Sequence, residues 1–146
     1  MIERLKTLLK TYREQILYLF FGVLTTLVDF SVSFLLYRFW LDASNPPPLA
    51  LHAADTLAWA AAVTFAFVTN RIWVFESTKK GFLPVAGELV GFAGGRVATL
   101  LLQEGAMALF VTILGGNKYL FRLLIAVAVV VLNYVISKLW VFRKGE

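Results

Sequence analysis

Apolar residues fill this chain in four long blocks separated by short polar breaks, and a shorter block with helical spacing precedes them. Residues 1–15 place Ile2, Leu5, Leu8, Leu9 and Tyr12 at intervals of three and four, with Arg4, Lys6, Lys10 and Arg13 between them. That pattern predicts an amphipathic helix lying on a membrane surface. Residues 16–40 form the first apolar block, long enough for a spanning helix, which needs about 20 residues. Asp42-Ala43-Ser44-Asn45-Pro46-Pro47-Pro48 breaks it, the prolines favouring an extended loop. Residues 50–75 form the second block and Glu76-Ser77-Thr78-Lys79-Lys80-Gly81 the next break. The third covers 85–114, Gly115-Gly116-Asn117-Lys118 makes a tight turn, and the fourth covers 120–142. The expected fold is all-α: a single membrane domain over 1–146, built as an integral four-helix bundle of two helical hairpins behind an interfacial N-terminal helix.

The second and fourth blocks end alike. Asn70-Arg71-Ile72-Trp73-Val74-Phe75 is echoed by Ser137-Lys138-Leu139-Trp140-Val141-Phe142, and residues 63–75 align without gaps on 130–142. The first and third blocks align poorly. Because each unit would hold two spans, a duplication would be parallel rather than inverted. Shared interfacial chemistry offers the other reading, since a cation, a Trp and a Phe together suit the edge of a bilayer.

Composition sharpens the membrane reading. Of 146 residues, 60% are hydrophobic and only 16% charged, and mean hydropathy is +0.77. Such a chain cannot supply the polar surface that a soluble domain of this size needs. The net charge of +5 does not point to nucleic acid, because the cations sit scattered at the ends of apolar runs. They report orientation instead. Arg4, Lys6, Lys10, Arg13, Arg71, Lys79, Lys80, Lys138, Arg143 and Lys144 fall on one side of a four-span topology, against Arg38, Lys118 and Arg122 on the other. This positive-inside bias predicts a multi-pass protein of the cytoplasmic (inner) membrane with both termini in the cytoplasm. The length of the first block, the Asp29 inside it and the lack of a small-x-small site argue against a secretory leader. There are no cysteines, so disulfides and thiolate-bound metals are excluded.

Small residues recur every fourth position as Ala54, Ala58, Ala62 and Ala66, and as Gly87, Gly91 and Gly95. Each stripe follows one helix face, where it is expected to let backbones approach as a packing seam within or between subunits. Polar residues inside the blocks carry the functional signal. Asp29 lies about 18 Å deep and Arg96 about 17 Å, at 1.5 Å per residue. Glu88 and Glu104 stand eight residues from Arg96, about 12 Å along the axis and badly placed in azimuth. Asp29 is therefore the expected partner of Arg96. Gly22, Thr25, Thr26 and Ser33 surround Asp29 at helical spacing, and Asn133 and Ser137 add polarity to the fourth span. With Asn70 and Arg71 these residues trace a polar path from the inner leaflet to mid-membrane. The competing reading makes Asp29, Arg96 and Asn133 interhelical glue. Arg71 and Lys138, beside Trp, read either as interfacial anchors or as phosphate ligands.

Several chemistries are missing. There is no G-x-x-x-x-G-K phosphate loop, no cluster around the single His52 to hold a metal, and no triad-like constellation. Neither an enzyme nor a cofactor is expected.

Phe21-Gly22 with Leu27-Val28-Asp29-Phe30, Asn70-Arg71-Ile72-Trp73-Val74-Phe75, Phe92 with Arg96, and Asn133-Tyr134 with Lys138-Leu139-Trp140-Val141-Phe142 together resemble the GtrA-like family of small four-span membrane proteins. The resemblance covers residues 16–144. It implies a role in cell-surface polysaccharide synthesis or glycosylation: flipping of a polyprenyl-phosphate-linked sugar, or service as a non-transporting scaffold or accessory subunit for a membrane glycosyltransferase. In the flipping hypothesis Arg71 and Lys138 attract the phosphate, Arg96 receives it at mid-depth, and Asp29, Asn70 and Asn133 bond sugar hydroxyls. A small proton-coupled exporter, exchanging through Asp29 or Glu104, is a third reading that a mid-membrane Arg opposes. Membrane lipid is the surrounding partner. A homo-oligomer is expected, because a bundle this small exposes much of its polar stripe.

Overall fold

The computed structural model describes residues 1–41 and 46–144. Of the polar break expected at 42–48, residues 42–45 lie outside the described residues. Among the described residues every regular element is helical, and four helices are long and apolar enough to cross a membrane: Arg13–Phe39, Pro48–Val74, Phe82–Ile113 and Lys118–Val141. These correspond to the four apolar blocks. The chain divides into two compact units, Met1–Glu76 and Ser77–Glu146.

The first unit begins with α1 (Ile2–Thr11), an exposed amphipathic helix. It is shorter than the helix expected over 1–15. The backbone leaves helical geometry at Tyr12 (φ −102°, ψ 18°), and α2 (Arg13–Phe39) starts immediately after. α3 (Pro48–Thr69) opens with proline in its first turn, where the missing N–H would have had no intrahelical partner. α2 and α3 pack together. Ala54, Ala58 and Ala66 are wholly buried and Ala62 nearly so, as a packing seam requires. Tyr37 donates a hydrogen bond to Asp55 near one end of the pair. Near the other end Phe21 stacks on Trp73 at 5.6 Å and 17°, and Tyr18 meets Phe75 at 6.2 Å.

The second unit holds α4 (Phe82–Met107), which runs on to Ile113, and α5 (Lys118–Ile136), which runs on to Val141. The turn between them is built as its sequence suggested. Asn117 caps α5, its side-chain oxygen accepting from the N–H groups of Tyr119 and Leu120 at 3.0 and 3.1 Å, which satisfies two otherwise orphaned donors. Gly115 takes φ +68°, and a Cβ on Gly116 would lie 2.4 Å from Phe121 and 2.6 Å from the Phe110 carbonyl oxygen. Only glycine fits there. α4 and α5 pack from the stacked Phe110–Phe121 rings, 5.2 Å apart, to the Phe92–Phe142 pair at 5.9 Å.

Three of the spanning helices widen into a π turn at their C-terminal ends: Asn70–Val74, Ala108–Ile113 and Ser137–Val141. In the two Trp-Val-Phe endings the same bond closes the turn. The Phe75 N–H reaches the Asn70 carbonyl, and the Phe142 N–H the Ser137 carbonyl, both at 2.8 Å. The extra residue rotates the turn so that Asn70, Val74 and Phe75 in one copy, and Ser137, Val141 and Phe142 in the other, are buried. Trp73 and Trp140 remain outside. Hydrophobic periodicity cannot reveal one residue of added backbone, and the π turns were not legible from it.

Candidate functional site

In the first unit the polar stripe around Asp29 is less available than its spacing suggests. Thr25 donates to the Phe21 carbonyl at 2.8 Å and Thr26 to the Gly22 carbonyl at 3.2 Å, so both hydroxyl protons are committed to their own helix and only the oxygens can accept. Asp29 itself is half-buried. Asn70, at the mouth of the π turn, is almost completely enclosed. Its amide donates to the Ala66 carbonyl at 2.6 Å, while its Oδ1 is buried without a partner. An orphaned acceptor of that kind is costly, and π turns concentrate at functional positions. Arg71 follows, half-buried at the surface.

The second unit brings more of the expected residues together. Arg96 is half-buried and lays its guanidinium 5.1 Å from the Phe92 ring centre, a cation–π contact one helical turn back. Asn133 is buried and accepts a hydrogen bond from Thr99 at 3.0 Å; Thr99 also bonds the Arg96 carbonyl at 3.1 Å. Thus Thr99 ties the backbone beside Arg96 to Asn133 on the facing helix. Lys138 donates to the Tyr134 hydroxyl at 3.3 Å and sits over that ring. Asp29 belongs to the first unit and Arg96 to the second, so their pairing stands as an expectation from depth alone.

A hollow of about 620 Å³ lies along the same unit, lined by Gly87, Gly91, Gly94 and Gly95, with Lys79 and Trp140 also in its wall. The glycines divide their work. A Cβ on Gly95 would stand 3.0 Å from Ile136 and one on Gly91 3.7 Å from Val141, so these two serve the expected seam. Gly87 and Gly94 would meet nothing within 4 Å; they keep the hollow wide. Glu88, also in the wall, is only 2% exposed and accepts from the Ser77 hydroxyl. It therefore belongs to the polar connection before α4. The arrangement is a mostly apolar groove with one cation, Lys79, and one buried carboxylate, Glu88, in its wall.

Thr99 and the hollow were not singled out in the sequence, and Glu88 was weighed there only as a partner for Arg96. Threonine inside an apolar run is ambiguous, because it so often bonds its own helix, as Thr64 does. The usable signal was that Thr99 sits three residues beyond Arg96. Among the described residues, no group of three or more His, Asp or Glu is placed to hold a metal ion.

The model of the GtrA/DPMS transmembrane domain matches residues 17–142. The chain belongs to this family. Its relatives include the uncharacterized membrane protein YwcD of Bacillus subtilis, 32% identical over 130 residues, covering 89% of this chain and 97% of that protein. The cell wall teichoic acid glycosylation protein GtcA of Listeria innocua is 34% identical over 130 residues, covering 88% and 83%. A GtcA of Listeria monocytogenes is 28% identical over 146 residues, covering 97% and 96%. No solved structure matches the chain. Family membership gives the Trp-Val-Phe turns, Arg96 and Asn133 a shared setting: both turns and both polar side chains fall inside the matched region.

Proposed function

We propose that this protein moves a polyprenyl-phosphate-linked sugar across the cytoplasmic membrane, in service of cell-surface polysaccharide synthesis or glycosylation. The observation that carries the reading is the match, over nearly the whole chain, to a family with members named for cell wall teichoic acid glycosylation. The glycine-walled hollow supports it physically. A lipid-linked sugar needs an apolar groove for its chain, and the second unit has one of about 620 Å³, with Lys79 and the buried Glu88 in its wall.

In this mechanism both termini are cytoplasmic and the two Trp-Val-Phe endings belong to a parallel repeat, each ending at the inner leaflet. Arg71 and Lys138 draw the phosphate there. Arg96, whose charge is held against the Phe92 face, receives it farther in. Asp29, Asn70 and Asn133 bond sugar hydroxyls, Asn70 through its orphaned Oδ1. No phosphate-loop sequence is present to couple ATP, so net movement follows the gradient set by consumption on the far side.

The test is reconstitution. Liposomes containing the protein should expose a polyprenyl-phosphate sugar to the outer face faster than empty liposomes, and Arg96→Ala should abolish the acceleration while the protein keeps its melting midpoint. A second reading is favoured by the GtcA relatives, whose names specify glycosylation and not transport: a scaffold for a membrane glycosyltransferase. Wild-type protein that gives no acceleration but co-purifies with such an enzyme would establish the scaffold instead.

A further inference from the structure

At the end of the second unit away from Trp140, a smaller hollow of about 330 Å³ is lined by Gln103, Glu104, Met107, Arg122, Ile125 and Ala126. Its volume falls at the lower end of the range of small-molecule pockets, about 300–1,000 Å³. Gln103, Glu104 and Met107 share one face of α4, and Arg122, Ile125 and Ala126 one face of α5. Both elements are apolar around these positions: Leu100, Leu101 and Leu102 precede the first group, and Leu123 and Leu124 lie inside the second, all exposed. A carboxylate, a guanidinium and an amide are thus gathered into one recess of two lipid-type helices, where ionisable groups mark functional positions by default.

These groups are not engaged with one another. Among the described residues, no hydrogen bond or ion pair uses the side chain of Gln103, Glu104 or Arg122. Glu and Arg facing one recess without closing on each other leave a space whose walls offer strong acceptors on one side and strong donors on the other. The charges select what can fill it. A phosphate would suit Arg122 but is repelled by Glu104; a cation would suit Glu104 but is repelled by Arg122. A neutral polyhydroxyl group satisfies both, its hydroxyls donating to the carboxylate and accepting from the guanidinium, with Met107 and Ile125 against its C–H face.

We propose that this recess binds one neutral sugar residue, the headgroup of the lipid-linked carrier, at the end of the second unit opposite the Lys138 turn. The inference rests on the proposed translocation and deepens it by adding, beyond the Asp29, Asn70 and Asn133 contacts, a second sugar site at the far end of the path. Along α4 and α5 the order would then be Lys138 at one end, Arg96 and Asn133 in the middle, and Glu104 with Arg122 at the other.

The experiment uses the full chain in lipid nanodiscs and decyl-phosphate-linked glucose with a photoreactive diazirine on the sugar. Adducts are expected within 103–107 or 122–126 of the wild-type protein, competed by unmodified decyl-phosphoglucose and not by decyl phosphate. Glu104→Ala and Arg122→Ala should each lower that labelling at least about tenfold, as loss of one hydrogen bond to a charged group would. Both variants should keep the wild-type thermal midpoint in the same nanodiscs, which controls for folding. Adducts mapping elsewhere, equal competition by decyl phosphate, or unchanged labelling of the variants would overturn the proposal. Labelling of the recess in a protein that moves no sugar in liposomes would uphold the site and sink translocation; transport without such labelling would sink the site alone.

Discussion

The two Trp-Val-Phe turns have the same backbone and different surroundings. In both, a π turn closed by a 2.8 Å bond buries the Val and the Phe and turns the Trp outward. In the first unit Trp73 lies flat against Phe21 and is 48% exposed. In the second, Trp140 is 76% exposed and stands in the wall of the glycine-lined hollow. The neighbouring helices differ in the same sense: alanines of α3 are packed to completion, whereas Gly87 and Gly94 of α4 face open space. The two repeated endings therefore share a turn, and the small-residue stripe on the neighbouring element decides whether that turn closes a seam or borders a groove. The first unit is built to pack and the second to leave room.

This contrast is breakable by substitution. The largest effect is expected for Ala58→Leu, which adds three carbons at a position with no exposure; overpacking of that kind costs about 1–3 kcal/mol and should lower the thermal midpoint in detergent clearly. If Ala58→Leu melts like wild type, the first unit is not the close-packed one. Next comes the pair of tryptophans. Trp73→Ala removes a stacked aromatic contact, about 0.5–1.5 kcal/mol beyond the area lost, and should destabilise more than Trp140→Ala; equal shifts would erase the distinction between the turns. Thr99→Val tests the tie between α4 and α5. Interhelical hydrogen bonds in membrane proteins average about 0.6 kcal/mol, so a small drop in the midpoint is expected, vanishing when Asn133 is already Leu. Smallest is Glu76→Gln, which breaks the 2.8 Å ion pair with Arg13. Both groups are about half exposed, and a few tenths of a kcal/mol is the usual worth of such a pair.

Much of the architecture was legible because bilayer crossing imposes a length and a composition that short polar breaks interrupt visibly. The four spans, the Asn117 turn and the alanine seam could all be read that way. The break at Tyr12 and the π turns could not, since they depend on local backbone geometry that apolar periodicity does not encode. Thr25 and Thr26, read as members of a polar path, give their hydroxyl protons to their own helix, which residue identity alone did not show. Gly87, Gly91 and Gly95 read as one seam, and only geometry separates the glycines that meet a neighbour from those that keep a hollow open. Depth placed Arg96 and Asn133 in mid-span, but Thr99 as the link between their helices needed the facing surfaces.

The central claim is that the glycine-walled groove of the second unit is where the lipid-linked sugar travels. Gly87→Leu tests it most directly, because a side chain there meets no neighbour and projects into open space. The measurement is the rate at which reconstituted protein exposes a polyprenyl-phosphate sugar on the outer face of liposomes, made alongside the thermal midpoint of the same preparation. The account predicts that wild type accelerates exposure and that Gly87→Leu does not, with the midpoint unchanged. Full acceleration by the folded Gly87→Leu protein would contradict it.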